Sequence, residues 1–261
     1  KNKVVELSDD NQVLKGEGLK YGTEHFPTET RVDQPIGGFY LYRTDGIFQN
    51  MSEVNAHTNA NGELIQPNAQ PGDIRFKDLN GDGKITDDDK EYCGSGIPSL
   101  EANLNLSASY KGFDLSAVIG SAWNFKLYNG NKYFYEGMNS KSNMLKSTLD
   151  AWTPQNTNTN VPRAVYQDPN GNMKESDRFL ENGDFVRLRQ IQLGYTLPKS
   201  LLQSIHIDKL RFYVSGENLF TITGYDGIDP EFSRANVLNT GIDNLIYPFT
   251  RSFTVGAQLT F

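Results

Sequence analysis

The chain has 261 residues, with 25 Lys and Arg against 32 Asp and Glu and a formal net charge of −7. That balance leaves no basic stripe to neutralise phosphates, which argues against a nucleic-acid partner, and the single cysteine, Cys93, rules out a disulfide framework within the chain. Mean hydropathy is −0.56 and no run approaches the roughly 18–20 apolar residues of a membrane helix, but membrane strands escape both measures, because alternating lipid-facing and water-facing side chains cancel in any average.

In chain order, residues 1–7 carry no initiator Met, no apolar signal core and no small-residue cleavage site. The chain is therefore expected to be processed upstream or to be a piece of something longer, with 1–7 as the tail of an outward strand. Residues 73–77 read as a short strand and lead into the sharpest local motif. In the segment 78–89, oxygen ligands fall at Asp78, Asn80, Asp82 and Asp89, with Gly83 at the sixth position and the Lys84 carbonyl at the seventh. This is the spacing of an EF-hand-type calcium loop, where glycine permits the sharp turn and alternate side chains converge on one cation. Asp89 stands where a longer Glu is usual, and a strand rather than a helix precedes the loop. The expected role is to stiffen a loop with calcium; an Asn-Gly/Asp-Gly turn that needs no metal is the plainer alternative.

Five longer strands follow. In 98–111, Leu100, Ala102, Leu104, Leu106, Ala108 and Tyr110 alternate with Glu101, Asn103, Asn105, Ser107, Ser109 and Lys111, so one face is apolar and the other polar. After a tight turn at Lys111-Gly112, the strand 112–126 sets Phe113, Leu115, Ala117 and Ile119 on one phase, with Val118 as the exception. In 184–197, Ile191, Leu193, Tyr195 and Leu197 share a face while Val186 and Leu188 fall on the other phase, which predicts a bulge near Arg189-Gln190. The strand 208–223 sets Leu210, Phe212, Val214 and Phe220 against Arg211, Tyr213, Ser215 and Glu217, and an Arg211–Glu217 pair is expected on its polar face. The strand 250–261 sets Phe253, Val255, Ala257, Leu259 and Phe261 against Ser252, Thr254, Gly256, Gln258 and Thr260.

The connections alternate between short (Lys111-Gly112 and 198–208) and long (128–183 and 224–249), and aromatics flank small aliphatics on several strands. Both are features of outer-membrane barrels, with short inner turns, long outer loops and aromatic girdles. The competing architecture is a soluble, calcium-stabilised β-sandwich that binds carbohydrate. Taking the short turns as inner, the region 8–97 and the loops 128–183 and 224–249 are extracellular. A sheet of so few strands in lipid has two open edges, each unpaired backbone group costing several kcal/mol, so the missing strands are expected from another segment of the same polypeptide.

The segment Pro71-Gly72-Asp73-Ile74-Arg75-Phe76-Lys77-Asp78-Leu79-Asn80-Gly81-Asp82-Gly83 resembles the SusC-like TonB-dependent transporters of Bacteroidetes. So do Tyr110-Lys111-Gly112-Phe113-Asp114-Leu115, Phe185-Val186-Arg187-Leu188-Arg189-Gln190-Ile191, Leu193-Gly194-Tyr195-Thr196-Leu197-Pro198 and Ser215-Gly216-Glu217-Asn218-Leu219-Phe220, followed by Asp229-Pro230-Glu231, Tyr247-Pro248 and Phe253-Thr254-Val255-Gly256. The resemblance implies an all-β chain forming the C-terminal strands of an antiparallel transmembrane β-barrel of about 22 strands, its plug lying outside this chain. It further implies energisation by TonB through the missing N-terminal part, a SusD-like surface lipoprotein as partner, a cell outer membrane location, and import of an oligosaccharide or peptide. Phe261, preceded by apolar residues at every second position, resembles the signal read by the barrel-assembly machinery.

Among the loop aromatics, Tyr133, Tyr135, Trp152 and Tyr225 are candidates for substrate contact, since such rings stack on sugars or line peptide grooves; packing within the loops is the alternative. Trp123, near a strand end, suits an interface belt. A short helical turn is expected at 144–152. The histidines His25, His57 and His206 share no metal-ligand spacing, and neither a nucleophile elbow nor a phosphate loop is present, so no enzyme is expected.

Overall fold

The computed structural model describes residues 2–8, 13–21, 23–139, 143–202, 207–232 and 236–261. The chain divides into two compact units, Lys1–Ile97 with Lys126–Glu181 and Phe232–Ile246, and Pro98–Phe125 with Asn182–Glu231 and Tyr247–Phe261.

The second unit is a single antiparallel sheet of five strands: β1 (Leu100–Tyr110), β2 (Phe113–Trp123), β3 (Phe185–Thr196), β4 (Lys209–Thr223) and β5 (Ser252–Thr260), each beside the next in chain order. The expected strands 98–111, 112–126, 184–197, 208–223 and 250–261 all form, each shorter by one to three residues at an end. The eleven residues of β1 rise roughly 3.3 Å apiece, about 36 Å in all, enough for a tilted crossing of a bilayer core. The β1–β2 turn places Lys111 at φ 46° and Gly112 at φ 90°. Two left-handed residues make the turn whose twist matches that of the flanking strands.

The frame slip becomes a bulge. Ile191 pairs with Ala117 and Leu188 with Ile119, so Arg189 is extra against β2. Val186 and Leu188 thereby share a face with Ile191 and Leu193 although their sequence phases differ. On β4 the compensating irregularity lies between Glu217 and Phe220, where Asn218 adopts φ 51°, a conformation Asn tolerates better than most residues.

The sheet's apolar face is uncovered. Leu106 is 50% exposed, Phe253 77% and Val255 81%. A sandwich core buries such residues between two layers; here the described residues of the unit form one layer, and the sandwich reading gives way. Among the described residues, the edge strands β1 and β5 each pair on one side only.

The first unit holds the buried core. Val13–Lys15, Thr28–Arg31, Gly38–Tyr42 and Lys90–Ser95 form a four-stranded antiparallel sheet, and Thr44–Ile47 pairs with Ile74–Phe76, the strand expected at 73–77. Lys126–Asn129 pairs in parallel with Ile242–Asp243. The core joins Leu19, Phe39 and Leu41 to Tyr128, Tyr133, Met173 and Phe179 and to Ile242. Residues 2–8 carry no strand, contrary to expectation: Val4 instead exchanges backbone hydrogen bonds with Asp33 and Gln34. The turn expected at 144–152 is a short 3-10 helix, Lys146–Asp150.

Candidate functional site

The polar face of the five-stranded sheet is organised by arginines reaching over glycines. Arg211 on β4 pairs with Asp114 on β2 through two hydrogen bonds. β3 runs between these strands, and the pair passes over Gly194, where a Cβ would collide with both groups. The expected partner, Glu217, accepts instead from the Ser252 hydroxyl at 3.0 Å. Six residues apart on one strand, Arg211 and Glu217 are roughly 20 Å apart, too far to meet. Arg189 lies over Gly120 and Tyr213 over Gly256 in the same manner.

Arg187 is 2% exposed on this face. It pairs with Asp229, lies 3.4 Å from Glu231, and sits 5.3 Å from the Phe249 ring. Arg189 holds Glu231 at 2.8 Å. The Asp229 carboxylate also accepts the N–H groups of Glu231 at 2.9 Å and Phe249 at 3.1 Å. The sequence reading missed this assembly; the motif Asp229-Pro230-Glu231 was visible, but nothing local ties it to residues 42 positions away.

The acidic loop 78–89 closes on its own backbone. Asp78 accepts the N–H of Gly81 at 2.7 Å and of Gly83 at 2.8 Å, Asn80 that of Asp82, and Asp82 that of Lys84. Asp89, fully buried, accepts from Leu79, Asn80 and Thr86 and so ties the two ends of the loop together. Among the described residues no group of three or more His, Cys, Asp and Glu is set to hold a metal ion.

Buried ion networks hold the first unit. Glu175, 5% exposed, lies 2.5 Å from His25 and 2.6 Å from Lys90. Burial pushes its pKa up, but the bonds from His25 and Lys90 outweigh this and hold it down at about 2. Burial pulls Lys90 down, but Glu175 and Asp87 lift it above the usual lysine value. Tyr42 donates to Asp87 at 2.9 Å and is pushed up, first by burial and then by that carboxylate. Separately, Arg163 holds the fully buried Asp73 through bonds of 2.7 and 3.0 Å, and Asn172 donates to it at 2.9 Å. Burial lowers Arg178, which pairs with the buried Glu136.

The four candidate substrate aromatics do not come together. Tyr133 is fully buried in the first unit's core. Trp152, 7% exposed, donates to Gln49 at 2.9 Å and lies against Gly72, whose φ of 92° and lack of a side chain make room for the ring. Tyr135 is half-buried. Tyr225, 6% exposed, belongs to the second unit and packs over Gly227. Trp123 closes β2 at 40% exposure, and Phe261 follows β5 at 81%. Cys93 is half-buried, 3.8 Å from an Arg43 nitrogen. His57 packs against Phe48, 5.6 Å between ring centres, and His206 lies outside the described residues.

No protein-family model matches the chain. Along its whole length it is 31% identical to TonB-dependent receptor P3 of Formosa agariphila, covering 26% of that protein. It is 27% identical to TonB-dependent receptor SusC of Bacteroides thetaiotaomicron, again along its whole length, covering 23%. The solved RagAB peptide importer in its closed-closed state matches 99% of the chain with a TM-score of 0.70 and 24% identity, over 26% of that structure's chain; this is a likeness of fold. The chain thus spans about a quarter of the length of the curated relatives it matches. An alternating sheet with its apolar face open, in a chain related throughout to these proteins, defines a piece of outer-membrane barrel wall. Along its whole length the chain is similar to TonB-dependent receptors, SusC among them, and it has the fold of part of their β-barrel, whose place is the outer membrane. The curated relatives are receptors, and the solved neighbour is a peptide importer.

Proposed function

We propose that this chain supplies wall and outer-loop surface to an importer that takes a nutrient across the outer membrane with energy delivered by TonB. The observation that carries this is the five-stranded sheet, apolar and uncovered on one face, polar and arginine-lined on the other, with an open edge on each side. Lipid suits the first face, a water-filled lumen the second, and further strands of the same barrel the edges. The remaining partners are then the plug, TonB acting through the part of the receptor that carries it, and a SusD-like surface lipoprotein. The cargo is an oligosaccharide or a peptide; the fold shared with a peptide importer bears on the latter. Of the four candidate aromatics, Tyr133, Trp152 and Tyr225 are buried and Tyr135 is half-buried, so contact with cargo is proposed for Tyr135. Uptake of labelled oligosaccharide and peptide pools by cells carrying the full receptor, with and without TonB, tests the reading. Import that persists without TonB, or no import of either pool, would overturn it.

Calcium is proposed as a ligand of the loop 78–89, through Asp78, Asn80, Asp82, Asp89 and the Lys84 carbonyl. The supporting feature is their EF-hand-like spacing within a loop already closed by Asp89. Millimolar calcium is expected to raise the melting temperature of the full receptor and to lose that effect in Asp82→Asn. A melting curve indifferent to calcium would end the idea.

A further inference from the structure

The connection between β4 and β5 folds back on the sheet before and after its middle portion. Its residues 225–231 and 247–249 belong to the same compact unit as the strands, and they meet the polar face, since Arg187 and Thr221, which pair across β3 and β4, share that face with Arg189. Four contacts hold the segment to the sheet, namely Asp229 on Arg187, Glu231 on Arg187, Glu231 on Arg189 and the Phe249 ring beside the Arg187 guanidinium, and the Phe249 N–H on Asp229 ties its two parts together. Buried charges of opposite sign held this way are strongly coupled, because releasing one strands the other in a poorly solvated place. The fastening is nevertheless local. Between the segment and the sheet lies a cavity of about 310 Å³, walled by Arg187, Thr221 and Thr223 on one side and Ile228, Pro230 and Pro248 on the other. A segment pinned at a few charged points over a cavity can lift without disturbing the strand ladder, whereas one packed flat could not.

We infer that residues 225–231 and 247–249 form a strap drawn across the polar face by Arg187, which occludes this stretch of the wall until the pin is released. Naming the occluded side the lumen rests on the import reading; the strap itself does not. Once lifted, the strap uncovers Arg187 and opens the half-buried Thr221 more fully to the water side.

The test uses the full receptor in detergent. Thr221→Cys places a thiol in the cavity wall, and its rate of modification by a charged, water-soluble thiosulfonate is followed by mass spectrometry, which separates it from Cys93. Deuterium exchange is read at the Glu231 and Phe249 amides, the two that donate to Asp229. Asp229→Asn and Arg187→Gln are each expected to speed both readouts by about tenfold or more, since protection follows the free energy of local opening, while Asp114→Asn, elsewhere on the polar face, leaves them unchanged. Unchanged exchange would show that Arg187 is not the pin. Faster exchange without faster thiol modification would show that the segment covers nothing. Should Arg187→Gln fail to insert, Asp229→Asn alone decides, because it retains the arginine and an acceptor oxygen. Absence of TonB-dependent uptake in the wild type would count against the import reading and leave these two readouts standing.

Discussion

Gly194 shows how one missing Cβ can organise a sheet face. The Arg211–Asp114 pair spans β3 only because nothing projects at that point. Gly194→Ala is expected to push the pair apart, seen as a lower urea midpoint of the refolded full receptor. Adding Arg211→Gln to that variant should cost little more, because the interaction is already lost. Glu175 carries a pH signature. Its folded pKa, about 2, lies below the ordinary glutamate value of about 4.3, so its stabilising contribution is full above that value and fades as pH falls toward 2. Glu175→Gln is therefore expected to cost stability on the order of 2–3 kcal/mol at pH 6, read as a lower melting temperature, and the gap to wild type should narrow toward pH 2. A gap independent of pH would contradict the assignment. Neither network was legible in the sequence. Gly194 stood in a motif that says nothing of Asp114 or Arg211 on the flanking strands, and Glu175 lies 150 residues from His25, beyond the reach of any periodicity.

The strands, by contrast, were legible almost in full, because each writes its two environments into alternate residues. The bulge was legible for the same reason: Val186 and Leu188 are out of phase with Ile191 and Leu193, and only an extra residue reconciles them. Deleting Arg189 removes that residue, and a slip of one turns every side chain on one half of β3 to the opposite face. Val186 and Leu188 would then face water, or Gln190 and Gln192 lipid. The deletion is expected to abolish the heat-modifiable, folded band of the full receptor on gels, whereas Arg189→Gln, which keeps the residue count, should retain it. Turn chemistry was legible only in part. Lys111-Gly112 announced a tight turn, but the left-handed Asn218 within β4 was hidden inside an otherwise regular pattern. Of the loop aromatics, sequence gave the residue type without its burial: Tyr133 and Tyr135 look alike two positions apart, yet one is sealed in the core and the other keeps surface.

At the scale of the whole chain, each unit is assembled from three separate stretches that alternate along the sequence. The core of the first unit draws Phe39 from one stretch, Tyr128 and Phe179 from the next and Ile242 from the last, and the parallel Tyr128–Ile242 pairing stitches the second to the third. The interior of this unit is therefore a collective trait. Transplanting one stretch alone from a relative such as the Formosa agariphila receptor would set foreign side chains against a native interior and leave gaps or collisions there. Moving all three together keeps the interior self-consistent. Such grafts should show a threshold, with single and double exchanges poorly expressed and the triple exchange recovering yield. Divergence among relatives would meet the same constraint, and would favour recombination of long tracts over the tinkering of isolated loops.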